Sequence, residues 1–195
     1  MKKNLLMLSG KIYSGKSTVA NYLSDIYRYK QIAFADKLKL SLVEFLKTTY
    51  AINITIEDFY TAEGKQKVLP IRLPNNISNT VRGAMQWWGE LMKAQLGDTF
   101  WITPVVYDLK TKSENVVISD ARFTYEIEKI KENESLQFNY NIYSINIESK
   151  RAVINNHISE KHLDTYKDFD FNIDNNGSLT ELYREVDKIL FSIKK

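Results

Sequence analysis

Two periods of apolar residues alternate along the chain, one suited to strands and one to helices. Leu5-Leu6-Met7-Leu8 is an unbroken apolar run, so Asn4 to Ser9 reads as a strand buried on both faces. Lys16 to Tyr27 switches to helical spacing, with Val19, Ala20 and Leu23 on the inward face. Lys30 to Ala35 reads as a second short strand and Asp36 to Thr49 as a helix. From Ile52 to Asn76 the periodicity breaks, and Gly64, Pro70 and Pro74 mark loops. A long helix is expected over Ser78 to Leu96, ending at Gly97, and another from Asp98, as its cap, to near Lys112.

Asn115 to Ser119 is again continuously apolar, Phe123 to Asn133 helical, and Phe138 to Ile147 strand-like. A polar stretch, Lys150 to Asp164, precedes a last strand at Phe169 to Ile173 and a closing helix at Ser178 to Ile193. Strands alternating with helices predict an α/β fold with a parallel sheet. At 195 residues, one domain is expected, with neither an internal repeat nor a low-complexity linker.

Composition narrows the chemistry. The chain has no cysteine, which excludes a disulfide framework, a thiolate zinc site and a cysteine nucleophile. No apolar stretch approaches the ~20 residues of a membrane span. Met1-Lys2-Lys3 leads straight into the first strand without a signal-peptide pattern, so a cytoplasmic protein is expected. The net charge of +3 is spread along the chain and not gathered into a basic block, which argues against a nucleic-acid partner and suits small phosphorylated anions.

The strongest motif lies between the first strand and the first helix. Gly10, Gly15, Lys16 and Ser17 fit G-x-x-x-x-G-K-S, a loop whose backbone N–H groups and following helix cradle phosphates. Lys16 is expected to reach the β- and γ-phosphates of ATP and the Ser17 hydroxyl to ligate Mg²⁺. Gly10, Lys11, Ser14, Gly15, Lys16, Ser17 and Thr18 form the expected ATP-binding set. A guanine-reading N-K-x-D is absent, and Asp174 to Gly177 lies too late for a switch loop, so a GTPase is disfavoured. A small-molecule kinase is the expected class.

Four more stretches follow in order: "FADKLK" (Phe34 to Lys39), "RGAMQWWGELM" (Arg82 to Met92), "VVISDARFTYEIEKIK" (Val116 to Lys131) and "NHISEKHLD" with "FNIDNNGSLTEL" (Asn156 to Leu182). With the phosphate loop, they give a chain that resembles the phage-type deoxynucleoside monophosphate (dNMP) kinases over most of Lys3 to Leu190, least between Ala51 and Asn79. The resemblance implies a three-layer nucleoside-monophosphate-kinase-like P-loop fold: a five-stranded parallel sheet, helices on both faces, a helical acceptor-binding insertion near 51–112 and a lid near 150–165. It implies transfer of the γ-phosphoryl group of ATP to a dNMP with Mg²⁺. It admits a homodimer, and places the protein in a host cytoplasm if phage-encoded. Alternatives are dephospho-coenzyme A or phosphomevalonate as acceptor, or a nucleotide-binding protein without turnover.

The resemblance also assigns residues. Asp120, past the end of a predicted strand, could hold Mg²⁺ through water or orient the acceptor phosphate; its other reading is a cap for the helix at Phe123. Asp36 is a dNMP-binding candidate or the N-cap of its helix, while Lys37 and Lys39 either meet the acceptor phosphate or face water. Arg122 is a planar donor for the acceptor phosphate, and Arg151 a lid arginine neutralising the transferring group. Arg82, Gln86, Gly89 and Lys93 share one helix face, with the glycine expected to admit a ligand. Relatives tend to carry arginine near Lys93, so a bidentate contact there is weakened. Trp88 is a dNMP-binding candidate that also falls on the apolar stripe with Val81, Met85 and Met92.

Asn175 and Gly177 are placed to contact adenine, or to form an ordinary strand-to-helix turn capped by Ser178. His157, Ser159 and Glu160 read as a hydrogen-bonded lid structure; with His162, they lack the partners of a zinc site. Trp87, Phe34 and Tyr60 are candidates for an apolar wall beside C2′ of the sugar.

Overall fold

The computed structural model describes residues 2–153, 162–163 and 165–193. His157, Ser159, Glu160 and much of the expected lid lie outside the described residues. The chain divides into two compact units, residues 1–33 with 106–195, and residues 34–105.

The first unit is built on five parallel strands: β1 (Lys3–Ser9), β2 (Lys30–Ile32), β3 (Val116–Ile118), β4 (Tyr140–Glu148) and β5 (Phe171–Asp174). Their order is β2-β3-β1-β4-β5, with β1 central and in register so that Leu5 pairs with Val116 and with Ile142. Alternate residues of a strand face opposite sides. On one side Leu6, Leu8, Val117, Ile145 and Ile147 pack with Val19, Ala20 and Leu23 of α1 (Lys16–Tyr27) and Leu182, Val186 and Leu190 of the C-terminal helix Leu179–Ser192. That C-terminal helix begins as its sequence predicts: Ser178 Oγ accepts from the Glu181 N–H, and the Glu181 carboxylate accepts from the Ser178 N–H in return.

The second unit contains α2 (Phe34–Tyr50), α3 (Val81–Leu96) and two short 3₁₀ turns, Ile56–Phe59 and Gly64–Gln66. Its own core joins Leu42, Leu46, Ile54, Phe59, Val81, Ala84 and Trp88.

Several elements differ from expectation for identifiable reasons. Helix α2 starts at Phe34, so Asp36 lies in its first turn and is not its N-cap. Helix α3 starts at Val81, where the Thr80 side chain accepts from the Gly83 N–H. The next helix, α4, runs Ile102–Thr111 and not from Asp98. A start at Asp98 would bury Pro104 in a helix interior, where it lacks an N–H and clashes with the preceding turn; a start at Ile102 leaves it in the first turn. The helix expected over Phe123 to Asn133 is α5 (Thr124–Lys131), and a second short helix not expected from the sequence, α6 (Glu134–Asn139), follows it. Asn133 restarts the helix by accepting from the Leu136 N–H, and this moves the start of β4 from Phe138 to Tyr140. The C-terminal helix is α7.

Candidate active site

The carboxyl end of β1 turns into the phosphate loop, and both fixed glycines take backbone conformations that L side chains rarely adopt, with φ +139° at Gly10 and +109° at Gly15. Space is as restrictive as conformation. A Cβ on Gly10 would meet the carbonyl oxygen of Ile147 and the Ser14 hydroxyl, and one on Gly15 would meet Asn175 Nδ2. Lys16 folds back over the loop, its Nζ donating to the carbonyls of Gly10 at 2.6 Å and Lys11 at 2.7 Å. Helix α1 begins behind Gly15 without a side-chain cap. Ser17 is exposed, and Lys11 and Thr18 are half-buried.

Ser14 is fully buried, and among the described residues its Oγ is a buried polar atom with no protein hydrogen-bond partner. An unpaired buried hydroxyl costs about 1–3 kcal/mol. Together with the ammonium and the uncapped helix start, it makes the loop suited to an anion that supplies acceptors. The two residues expected to hold Mg²⁺, Ser17 and Asp120, carry oxygen ligands of the type it takes, and Mg²⁺ commonly uses one or two protein ligands beside substrate phosphates. No cluster of three or more metal-ligating His, Cys, Asp or Glu occurs among the described residues.

A cleft of about 510 Å³ opens beside the loop. Its lining includes Gly10, Lys11, Ser14, Arg122, Glu148 and Tyr166. Arg122 therefore shares a cleft with the phosphate loop. The turn that carries it is pinned from several sides. The Ser119 N–H donates to Ile32 O at 3.0 Å and the Ala121 N–H to Leu8 O at 3.1 Å. Glu126 Oε2 accepts from the N–H groups of Arg122 at 2.7 Å and Phe123 at 3.0 Å, and His162 Nδ1 from that of Thr124 at 3.3 Å. Burial pushes the Glu126 carboxyl up to about 8. The donated N–H groups and the Arg122 charge pull it down, while Asp120 adds to the rise. Glu126 escaped notice in the sequence, although a glutamate three residues after a helix start is a capping signal. Asp120 is half-buried on this turn.

The turn after β5 is a strap as well as a strand-to-helix connection. Asn175 is 8% exposed, and its Nδ2 donates to the Ser14 carbonyl at 2.8 Å. Arg151 Nη2 donates to Asn175 O at 2.7 Å, to Asn175 Oδ1 at 3.2 Å and to Gly177 O at 3.5 Å. The Asn175 amide is thus engaged by Ser14 and Arg151, and Arg151 is docked on the 175–177 turn. His162 packs edge-on against the rings of Phe123 and Tyr125.

In the second unit, Asp36 Oδ1 accepts from Tyr60 Oη at 2.7 Å and Lys39 Nζ at 3.4 Å, and the Lys39 ammonium stands 3.7 Å from the Tyr60 ring centre. Lys39 is only 8% exposed, and Lys37 is half-buried, so neither simply faces water. Arg82 and Gln86 are exposed and Lys93 half-buried. Gly89 does not continue their polar stripe. It is buried; a Cβ there would come 2.8 Å from Leu38 Cδ1, and its carbonyl accepts from Trp101 Nε1. The glycine serves close packing of α2 on α3, not ligand approach. Trp88 is 8% exposed, stacks on Phe45 and donates from Nε1 to Ser41 Oγ at 2.9 Å, which places it in the core of its unit. Of the sugar-wall candidates, Phe34 is buried, Trp87 half-buried among aromatic rings and Tyr60 half-exposed.

The family model described as deoxynucleotide monophosphate kinase matches residues 47–186. No curated protein sequence matches the chain. Among solved structures, the chain is similar to TT1252 from Thermus thermophilus, at 15% identity over 98% of each chain with a TM-score of 0.54. It is also similar to dephospho-CoA kinase from Campylobacter jejuni, at 14% identity over 98% of this chain and 97% of the other, with a TM-score of 0.50. At such identities the likeness shows the fold, an all-parallel α/β sheet of the P-loop kinase type.

Proposed function

The chain belongs to the deoxynucleotide monophosphate kinase family, and from that premise we propose that it transfers the γ-phosphoryl group of ATP to a deoxynucleoside monophosphate, giving ADP and a dNDP. The coarser class, a P-loop kinase acting on a nucleotide or other small molecule, follows from the family and the fold together. The observation that carries the acceptor assignment is Arg122, which lines the same cleft as the phosphate loop. A planar guanidinium there suits a second phosphate better than a neutral acceptor hydroxyl.

Phosphoryl transfer asks for positioning and charge neutralisation more than for covalent chemistry. The loop N–H groups and Lys16 bind and orient the triphosphate, Ser14 supplies a buried hydroxyl, and Arg122 holds the acceptor phosphate in line. Ser17 and Asp120 are the residues that would hold Mg²⁺, which supplies charge neutralisation between the phosphates when bound. In the Phe34–Val105 unit, taken by itself, Asp36, Lys37, Lys39, Arg82, Gln86 and Lys93 are the proposed acceptor contacts. No general base is assigned.

The test is ADP release measured with a panel of dNMPs, the matching ribonucleotides, dephospho-coenzyme A and phosphomevalonate. A dNMP should stimulate turnover most. An apolar pocket rejects an added hydroxyl by only about 10²-fold, so the preference over the ribonucleotide should be of that size or less. Stimulation by dephospho-coenzyme A or phosphomevalonate alone would replace the acceptor, and stimulation by none would end the kinase reading.

A further inference from the structure

The turn from Ser119 to Phe123 bears both Asp120 and Arg122, yet it contains no glycine or proline to fix its course. Its shape is set by where its backbone N–H groups go. Those of Ser119 and Ala121 reach the carbonyls of Ile32 and Leu8, so the front of the turn is tied to the ends of β2 and β1. Leu8 is two residues before Gly10, and this bond therefore couples the turn to the root of the phosphate loop. The back of the turn is held by a side chain. The N–H groups of Arg122 and Phe123 both converge on one oxygen of Glu126, at 2.7 and 3.0 Å, from a side chain only 7% exposed.

A glutamate capping a helix start is ordinary when it stands in water. Burying it is costly, and α5 could be capped more cheaply by an exposed serine or aspartate, as Ser178 caps α7. What the buried carboxyl does beyond capping is hold the peptide of Arg122 itself, a residue that lines the cleft. We propose that Glu126 is a positioning residue for phosphoryl transfer, fixing the backbone of Arg122 so that its guanidinium is presented to the acceptor phosphate. This rests on the acceptor role of Arg122 given above.

The consequence is selective. ATP is held chiefly by the loop of Gly10 to Thr18, whereas the Glu126 carboxyl takes its hydrogen bonds from the Arg122 and Phe123 N–H groups. Loosening the Arg122 peptide should therefore fall on the acceptor. A misplacement of about 1 Å in a positioned group costs up to about 10²-fold.

The experiment compares Glu126→Ala and Glu126→Gln with the parent enzyme. Glu126→Ala should raise the KM for dNMP by about 10–100-fold while the KM for ATP changes by less than about threefold. Glu126→Gln keeps an acceptor oxygen of the same reach and should restore dNMP KM to within about threefold of the parent. Amide hydrogen exchange supplies the second arm: Arg122 and Phe123 should lose protection in the alanine variant and keep it in the glutamine variant. Equal rises in both KM values, or a glutamine variant as impaired as alanine, would reduce Glu126 to a fold-stabilising residue. If the parent enzyme phosphorylates no dNMP, the substrate assignment fails on its own, and unchanged exchange at Arg122 and Phe123 in the alanine variant would still overturn the positioning role.

Discussion

Replacing Asn175 tests whether the turn after β5 is a strap for the phosphate loop or a reader of the nucleotide base. The side chain makes two contacts of unequal weight. Its Nδ2 donates to the Ser14 carbonyl at 2.8 Å within the buried interior, and its Oδ1 accepts from Arg151 at 3.2 Å nearer the surface. Asn175→Ala leaves the Ser14 carbonyl buried without this donor, at a cost of about 1–3 kcal/mol. Loss of the Arg151 contact adds little, because Arg151 keeps the Asn175 main-chain oxygen at 2.7 Å and water reaches the exposed guanidinium. Asn175→Asp preserves shape but points an acceptor at an acceptor, so it should be the worse of the two although it is nearly isosteric. Urea unfolding together with the KM for ATP reads the effect. The expected order of stability is parent, then alanine, then aspartate, with ATP KM rising in the same order as the loop loosens. Asn175→Ala with parental stability and a raised ATP KM would instead support direct base contact, and aspartate equal to the parent would refute the strap.

Three further outcomes are expected. Lys16→Met removes the ammonium that spans the Gly10 and Lys11 carbonyls; turnover should fall by about 10²-fold or more with the fold retained, as judged by circular dichroism. Trp88→Ala should cost about 3–5 kcal/mol of stability in urea unfolding, because an 8%-exposed indole leaves a void; a raised dNMP KM at unchanged stability would instead make Trp88 a ligand contact. The third concerns Asp170. Burial pushes its carboxyl up, but the hydrogen bond from Lys131 and those from the Ser144 N–H and hydroxyl outweigh this and hold it below its usual value of 3.8. A depressed folded value means stability that is present above the unfolded pKa and lost as pH falls through the folded one. Asp170→Asn should therefore lower the Tm near neutral pH, and the deficit should shrink as acid carries the pH below the usual carboxylate value; a difference constant from neutral into that acid range would refute the assignment.

What the sequence determined by itself is what neighbours within about one helical turn can settle. The phosphate loop was legible because strand, glycines, lysine and helix start are contiguous, and left-handed φ values at Gly10 and Gly15 are a local demand. The cap at Ser178 and the alternation of strands and helices were legible for the same reason. The alternation implied a parallel sheet, but only the tertiary structure fixed the order β2-β3-β1-β4-β5. It also decided which polar and small residues were already taken. Gly89 looked like an opening for a ligand until Leu38 of another helix was found against it. Trp88 became core through Phe45 and Ser41, the latter 47 residues away. Asn175 became a strap through Ser14, 161 residues away. Glu126 shows the boundary between the two: its capping position was local and readable, but its burial was not. A hydrogen-bonding group or a gap has no function of its own until its partner is known, and in a parallel sheet the partners at the strand ends come from distant parts of the chain.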